Sequence, residues 1–318
     1  MRPSRRLTFL MFQENVHLHP YSSFRIGGAA RHFARPKTVD GIIGALRKKE
    51  RGAPLFILGG GTNLLIGDEG FPGLVIKPEI MTLRERGGIV TAGTGLMMNE
   101  LLNFAVWKSL AGLEWAGGLP GTLGGAIRGN AGCFGGEIKD AIVEVTSLDI
   151  SKKTPKVVRR TRRQCRFGYR TSVFKELGGK EIILAAKLCF NRGDRHAIRS
   201  SIEQKIQYRL SRHPMEYPNV GSIFKNVDCA QVPRKHHAAV RHIIKDDPHP
   251  VVPTAYLIAE AGLKGVSFGG AMVSPKHPNF IVNVLGACAA DVQYLIRLVK
   301  TRVKERWGVK LEEEIQYV

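Results

Sequence analysis

The sequence predicts an α+β chain in which a large, two-part domain precedes a smaller α+β domain. With 318 residues, the chain is long enough for two or three domains. Strand-like and helix-like segments alternate over the first two thirds, whereas helix-like segments dominate the remainder. Two glycine clusters interrupt apolar sequence in the first part, and they indicate backbone that lies close against a large ligand.

The first part begins with a βαβ-like unit over residues 21–80. Its apolar periodicity predicts a helix at 39–51 and strands at 55–58 and 74–77. A second region then contains three predicted strands and one clear helix; the strands are 89–92, 142–150 and 182–190, and the helix is 98–109.

The last third is predicted to be mainly helical. An amphipathic pattern covers 197–212, a short helix covers 254–261 before Gly262, and a long one covers 290–307 before Gly308. Glycine directly after the periodic residues is a common helix C-terminal signal.

The larger glycine cluster lies in residues 115–137, where nine glycines alternate with apolar side chains such as Trp115 and Phe134. A flexible linker would carry polar residues between its glycines. The smaller cluster, residues 59–61, follows an apolar run and precedes Thr62 and Asn63, a pattern that suits a pyrophosphate nest but also a hairpin turn. It matches neither the Rossmann nor the Walker motif.

Composition is that of a soluble globular protein, with a formal net charge of +21. Basic runs at 156–166 and 234–245 allow nucleic-acid or membrane-surface binding, yet no nucleic-acid motif accompanies them, and a positive field would also steer anionic substrates. We expect a cytoplasmic protein, because no signal peptide or membrane-spanning run is apparent. The five scattered cysteines indicate neither disulfides nor a zinc site.

Eight sequence blocks together resemble the UDP-N-acetylenolpyruvoylglucosamine reductase (MurB) family. They are YSSFRIGG (21–28), ILGGGTNLLI (57–66), GGLPGTLGGAIRGNAGCFGGEIKD (117–140), FGYRTSVFK (167–175), YPNVGSIFKN (217–226), LIAEAGLKG (257–265), KHPNFIVN (276–283) and GVKLEEEI (308–315). The resemblance implies an N-terminal segment (1–26), a FAD-binding domain of the vanillyl-alcohol-oxidase and p-cresol-methylhydroxylase type (27–192, with subdomains 27–80 and 81–192) and a substrate-binding domain (193–318).

The resemblance also implies a chemistry: NADPH reduces noncovalently bound FAD, which then reduces UDP-N-acetylglucosamine enolpyruvate. Arg170 matches the family's charge-stabilising arginine, Ser222 its proton donor and Glu314 its catalytic glutamate. The implied FAD contacts are Gly59, Gly60, Gly61, Thr62, Asn63, Leu64, Gly118, Pro120, Gly121, Gly124, Gly125, Ala126, Asn130 and Gly132. The implied contacts to substrate or NADPH are Tyr169, Arg212, Asn226, Lys264 and His277.

Some positions depart from the family pattern. Thr171 stands where an acid is often found, and Cys133 lies in the flavin segment, where we interpret it as a packing residue. The stretch 227–253 is long, basic and rich in histidine, and we interpret it as a solvated loop rather than a metal site. Ser222 follows Arg170 by 52 residues, as in the branch without a substrate lid, and we expect a monomer. The alternatives are another flavoenzyme of the same fold and a binder of RNA or membrane surfaces.

Overall fold

The computed structural model describes residues 12–246 and 249–318. The start of the predicted N-terminal segment, residues 1–11, lies outside this range. The strands are β1 (Phe12–His17), β2 (Ala29–Ala34), β3 (Leu55–Ile57), β4 (Leu64–Leu65), β5 (Phe71–Ile76), β6 (Leu83–Arg86), β7 (Ile89–Gly93), β8 (Leu110–Ala111), β9 (Gly132–Cys133), β10 (Gly136–Glu137), β11 (Ile142–Asp149), β12 (Lys156–Thr161), β13 (Glu181–Cys189), β14 (Asn191–Arg192), β15 (Val227–Asp228), β16 (Val251–Val252), β17 (Ser267–Phe268), β18 (Ala271–Val273), β19 (Ile281–Asn283) and β20 (Gln316–Tyr317). The α-helices are α1 (Val39–Lys48), α2 (Met98–Trp107), α3 (Leu123–Gly129), α4 (Val173–Glu176), α5 (Arg195–Arg212), α6 (His237–Val240), α7 (Thr254–Glu260) and α8 (Ala289–Trp307).

The chain forms two compact units that are interleaved in sequence. Of the described residues, the first takes in 12–16, 30–59 and 71–202, and the second takes in 17–29, 60–70, 203–246 and 249–318. The domain boundaries at 27–192 and 193–318 stay a prediction.

The two larger sheets of the described chain, with four and five strands, lie mainly in the first unit. One has the order β1-β2-β5-β3, and β5 runs parallel to both β2 and β3, as the βαβ-like pattern predicted. Helix α1 begins at Thr38, whose hydroxyl accepts the Gly41 N–H, and its apolar face packs on this sheet through Ile42 and Ala45. The other sheet is antiparallel, with the order β12-β11-β13-β7-β6.

Several elements of the first unit were not predicted from the sequence, and helix α3 and strand β12 are the two with a clear physical reason. Helix α3 lies inside the larger glycine cluster, where glycine lowers helix propensity and hides the apolar period. Strand β12 lies within the basic run 156–166, which we interpreted only as a charged surface. It is an edge strand, and lysine and arginine on an edge discourage pairing with other chains.

The second unit is built around helix α8 and the antiparallel sheet β17-β18-β19. Helix α8 follows Cys288, and its first turn is stabilised by Asp68, whose carboxylate accepts the N–H groups of Ala289 (2.8 Å) and Ala290 (3.2 Å). Gly308 ends the helix in the left-handed conformation, as predicted. The C-terminal strand β20 pairs in parallel with β4, so the segment 60–70 and the chain's end share a small sheet. Among the described residues, no helix combines the length and apolar character that crossing a bilayer requires.

Candidate active site

The two glycine clusters meet in the first unit. A Cβ placed on Gly59 would lie 3.0 Å from Thr122 Oγ1 and 3.8 Å from Gly125 Cα. Thr122 begins α3, and its hydroxyl accepts the Gly125 N–H at 3.4 Å. A Cβ on Gly124 would lie 1.9 Å from Thr94 Oγ1, so a side chain is excluded there. These residues form a cradle whose backbone a flat or phosphate-bearing ligand can approach closely.

The cradle is one wall of a cavity that also contains charged side chains. Arg128 of α3 and Glu181 of β13 line it. Glu181 is bound by Arg160 Nε at 3.1 Å and by the Ser147 hydroxyl at 2.7 Å. Lys77 Nζ donates to the Gly59 carbonyl at 3.2 Å, and burial lowers the pKa of Lys77 although Glu79 acts in the opposite direction. The cavity is therefore suited to an anion.

Residues 60–64, which comprise the rest of the smaller glycine cluster and the three residues after it, belong to the second unit. Gly61 has φ +66, and a Cβ there would lie 1.9 Å from the Tyr21 carbonyl oxygen, so only glycine fits. Asn63 clamps the C-terminal segment: its Nδ2 donates to the Glu314 carbonyl at 3.0 Å, and its own carbonyl accepts the Gln316 N–H at 3.1 Å. Asn63, a predicted cofactor contact, thus also holds the backbone of Glu314, a predicted catalytic residue.

Arg170 lies on a tight two-residue turn of the first unit. Gly168 and Thr171 exchange two backbone hydrogen bonds, of 3.1 and 3.2 Å, around Tyr169 and Arg170. Arg170 has φ +56, the left-handed region that favours glycine. Its Nη1 donates to the Gly132 carbonyl at 2.9 Å, a backbone acceptor that does not depend on an acid at position 171.

Asn130 joins this turn to helix α3. It is fully buried and ends the helix with φ 44. Its Nδ2 donates to the Gly168 carbonyl at 2.9 Å and to Glu137 Oε1 at 3.0 Å, while its Oδ1 accepts the Lys139 N–H at 3.3 Å. The other predicted cofactor residues of this unit lie on or next to α3, namely Gly118, Pro120, Gly121, Ala126 and Gly132.

Ser222 and Glu314 lie on two paired segments of the second unit. The Glu314 N–H donates to the Ile223 carbonyl at 2.8 Å, and Phe224 and Glu313 form an antiparallel bridge. Asn279 holds the first of these segments, because its side chain accepts the Phe224 N–H at 3.0 Å and donates to the Phe224 carbonyl at 2.8 Å. The Ser222 hydroxyl has no hydrogen-bond partner within the described ranges.

The two glutamates before Glu314 are held in ion pairs. Glu312 pairs with Lys225, and Glu313 binds Lys300 at 2.7 Å and the Tyr317 hydroxyl at 2.5 Å. Burial would raise the pKa of Glu313, but the hydrogen bonds from Lys300 and Tyr317 lower it. Both carboxylates therefore have structural partners, and the assignment of Glu314 as the catalytic member of the run stays a prediction.

Of the predicted substrate contacts, only Tyr169 lies in the first unit, where its ring centroid is 5.6 Å from Arg170 Cζ. Arg212 ends α5, and Lys264 is exposed after α7. Asn226 Oδ1 accepts the Thr254 N–H at 3.3 Å.

His277 lies in contact with His213, at 5.3 Å between ring centroids. Burial lowers the pKa of each histidine to about 4; Lys245 adds to the effect at His277, and His277, Arg209 and Lys276 add to it at His213. Both rings are therefore neutral at pH 7. His277 can meet an anion only as a neutral hydrogen-bond donor.

The sequence interpretation did not include Arg128, Thr122 and Lys77, which the structure places at the cradle. Thr122 carries a recognisable signal, since threonine before a short apolar segment is a helix start. The Cys133 thiol donates a hydrogen bond to the Trp115 carbonyl oxygen, at 3.3 Å. Within 12–246 and 249–318, no three His, Cys, Asp or Glu side chains cluster in a way that could hold a metal ion.

Comparison with known families defines the class of protein. Residues 30–154 match the FAD binding domain, and residues 213–318 match the C-terminal domain of UDP-N-acetylenolpyruvoylglucosamine reductase. The chain is an FAD-containing oxidoreductase, with an α+β FAD-binding domain followed by a second α+β domain. The cradle fits such a cofactor, because Gly59 and Gly125 leave backbone accessible beside two cations.

Full-length relatives identify the family. UDP-N-acetylenolpyruvoylglucosamine reductase of Caldanaerobacter subterraneus is 36% identical over 307 residues, covering 96% of this chain and 92% of that protein. The enzyme of Lachnoclostridium phytofermentans is 35% identical over 311 residues, with the same coverage. The crystal structure of the Thermus caldophilus enzyme has a TM-score of 0.76 at 30% identity and covers 97% of this chain and 99% of that one. The chain belongs to the UDP-N-acetylenolpyruvoylglucosamine reductase (MurB) family, which confirms the family, fold class and cofactor predicted from its sequence.

Proposed function

We propose that this chain reduces UDP-N-acetylglucosamine enolpyruvate to UDP-N-acetylmuramate with NADPH as the reductant. The backbone pairing of the Ser222 segment with the Glu314 segment carries the proposal, because it places a serine and a glutamate from distant parts of the sequence on neighbouring segments. When bound, FAD accepts a hydride from NADPH and donates one to the β-carbon of the enolpyruvyl group. We expect a monomer, and a cytoplasmic location because NADPH and nucleotide sugars are cytoplasmic metabolites.

The residues have distinct tasks in this proposal. Negative charge develops on the α-carbon and carboxylate of the substrate, and the Arg170 guanidinium stabilises it. The Ser222 hydroxyl gives its proton to the α-carbon. Glu314 acts with Arg170 to activate the enolpyruvyl group. Tyr169, Arg212, Asn226, Lys264 and His277 bind the anionic or polar parts of the substrate or NADPH.

Replacing Ser222 by alanine tests the proposal. In stopped-flow experiments, Ser222→Ala should allow NADPH to bleach the flavin at a near-normal rate, because neither the flavin nor the hydride path has changed. Reoxidation by the enolpyruvyl substrate should slow by about 10²- to 10⁴-fold, the usual cost of removing a general acid.

Two further variants give the controls. Ser267→Ala removes an exposed serine of the same unit and should leave both half-reactions unchanged. Ser222→Cys should recover part of the loss, because a thiol supplies a more acidic proton in similar space. Reoxidation of Ser222→Ala within a few-fold of the parent would show that another group protonates the α-carbon.

A further inference from the structure

The cavity at the glycine cradle contains a cation without an acidic partner. Arg128 lies in the last turn of α3, is partly buried and lines the cavity together with Gly59, Gly124 and Gly125. Within the described parts of the chain, no carboxylate oxygen lies within 4.0 Å of its guanidinium nitrogens.

The charges around Arg128 do not neutralise it. Glu181, the acidic residue in the cavity wall, is bound by Arg160 and by the Ser147 hydroxyl. Lys77 adds a second cation beside the cradle through its hydrogen bond to the Gly59 carbonyl. Burial lowers the pKa of Arg128, so holding a charge there costs folding free energy. A bound anion would offset this cost.

We propose that Arg128 binds a phosphate group of the FAD pyrophosphate. The planar guanidinium offers two parallel N–H donors that match phosphate oxygens, and it lies in the same cavity as the glycine backbone. This proposal rests on the proposed function only in taking FAD, and not NADPH, as the dinucleotide that Arg128 binds. NADPH carries the same chemical group, so the experiment must separate the two.

The test compares Arg128→Met with Arg47→Met. Methionine keeps the length and the helix propensity of arginine but removes the charge. Arg47 is an exposed arginine in the last turn of α1, in the same unit, and so controls for lost charge near a helix C-terminus. FAD release from each purified holoenzyme is followed by the rise in flavin fluorescence on dilution.

Arg128→Met should raise the FAD dissociation constant about 10- to 100-fold, the usual value of a charge-assisted hydrogen bond, and Arg47→Met should not. Added KCl should weaken FAD binding less in Arg128→Met than in the parent. The flavin-free full chain of Arg128→Met should melt at the same temperature as the parent or higher, because the buried charge is gone. A lower melting temperature, or unchanged FAD release, would overturn the proposal.

A second measurement tests whether Arg128 binds NADPH instead of FAD. The NADPH concentration that half-saturates flavin reduction should not change in Arg128→Met; if it rises while FAD release stays normal, the arginine serves NADPH and the proposal fails. Should Arg128→Met not fold, Arg128→Lys carries the test, and FAD binding equal to the parent's would exclude the bidentate contact. Flavin release is independent of the enolpyruvyl substrate, so a chain that binds FAD but does not reduce that substrate disproves the proposed function alone.

Discussion

At the scale of single residues, Arg170 combines a costly backbone conformation with the catalytic task that we propose for it. Its left-handed φ costs a residue with a Cβ about 1–2 kcal/mol relative to the right-handed region, and two hydrogen bonds between Gly168 and Thr171 hold it there. Strain of this kind persists where the surroundings impose it, and it is frequent at functional sites. The turn fixes the backbone conformation of Arg170 and so restricts the directions in which its guanidinium can point.

Arg170→Lys should slow reduction of the enolpyruvyl substrate while leaving flavin reduction by NADPH nearly intact. Lysine keeps the charge but loses the planar pair of donors. Stopped-flow measurement of the two half-reactions separates these effects, and equal slowing of both would contradict the role given to Arg170.

The strain itself is measured by comparing Arg170→Gly with Arg170→Ala. The two variants lose the same guanidinium and differ only at Cβ, so the glycine variant should be more stable by about 1 kcal/mol. Urea unfolding gives the difference, and equal midpoints would mean that the turn relaxes in solution.

The partly buried pair His213 and His277 predicts a loss of stability in acid. Each has a pKa of about 4 when folded and an ordinary value of 6.5 when unfolded, so the unfolded chain binds protons first as the pH falls. Their contribution is complete above pH 6.5 and is lost between pH 6.5 and 4. Urea midpoints at pH 7.5 and 5 should therefore differ more in the parent than in the double variant His213→Phe/His277→Phe, and an equal difference would exclude the pair as its cause.

At the scale of elements, helix α3 is linked to the Arg170 turn through Asn130, the residue that caps its C-terminus. Asn130 was predicted as a cofactor contact, and that role stays a prediction, but in the structure its amide bonds to the Arg170 turn at Gly168 and to the segment of Glu137 and Lys139. Local periodicity could not predict this link, because it joins residues 38 positions apart.

Asn130→Asp tests that link. The change keeps the size of the side chain, removes the donor to the Gly168 carbonyl and places a carboxylate against Glu137. We expect a loss of roughly 2–4 kcal/mol in the free energy of unfolding, from two buried groups left unsatisfied. Substrate reduction should slow more than flavin reduction, because the Arg170 turn loses its anchor. Asn103→Asp, at an exposed position in α2, is the control and should change neither quantity.

Elements with strong periodicity were predictable, and those with masked periodicity were not. The predicted long helix 290–307 differs by one residue at its start from α8, and its apolar stripe and terminal Gly308 explain why. In β12 the alternation is hidden because arginine and lysine occupy several positions of an edge strand. The cradle itself was predictable only in part. Glycine content indicated two ligand-facing segments, but the contact between them at Gly59 and Gly125 depends on the tertiary fold and leaves no local sequence signal.

At the scale of the whole molecule, the sequence blocks identified the family. The high net positive charge, by contrast, is explained only by the anionic chemistry of the ligands. A net charge of +21 is compatible with nucleic-acid binding, yet FAD, NADPH and a carboxylated UDP-sugar are all polyanions. Two of the cations, Arg128 and Lys77, are partly buried next to the cradle. Surface cations that do not contact a ligand can act on it only at a distance, through the rate of encounter.

Salt should therefore slow the capture of anionic substrates without slowing the chemistry that follows. Raising the ionic strength from about 0.01 M to about 1 M shortens the screening length from roughly 30 Å to roughly 3 Å, which removes long-range attraction. The second-order rate constant for flavin reduction by NADPH should fall by about tenfold or more, whereas the first-order rate at saturating NADPH should change little. NADH lacks the 2′-phosphate, so its second-order rate constant should fall less steeply. A rate constant for NADPH that does not depend on salt would show that the basic surface does not steer this ligand, and the excess charge would then require a different anionic partner.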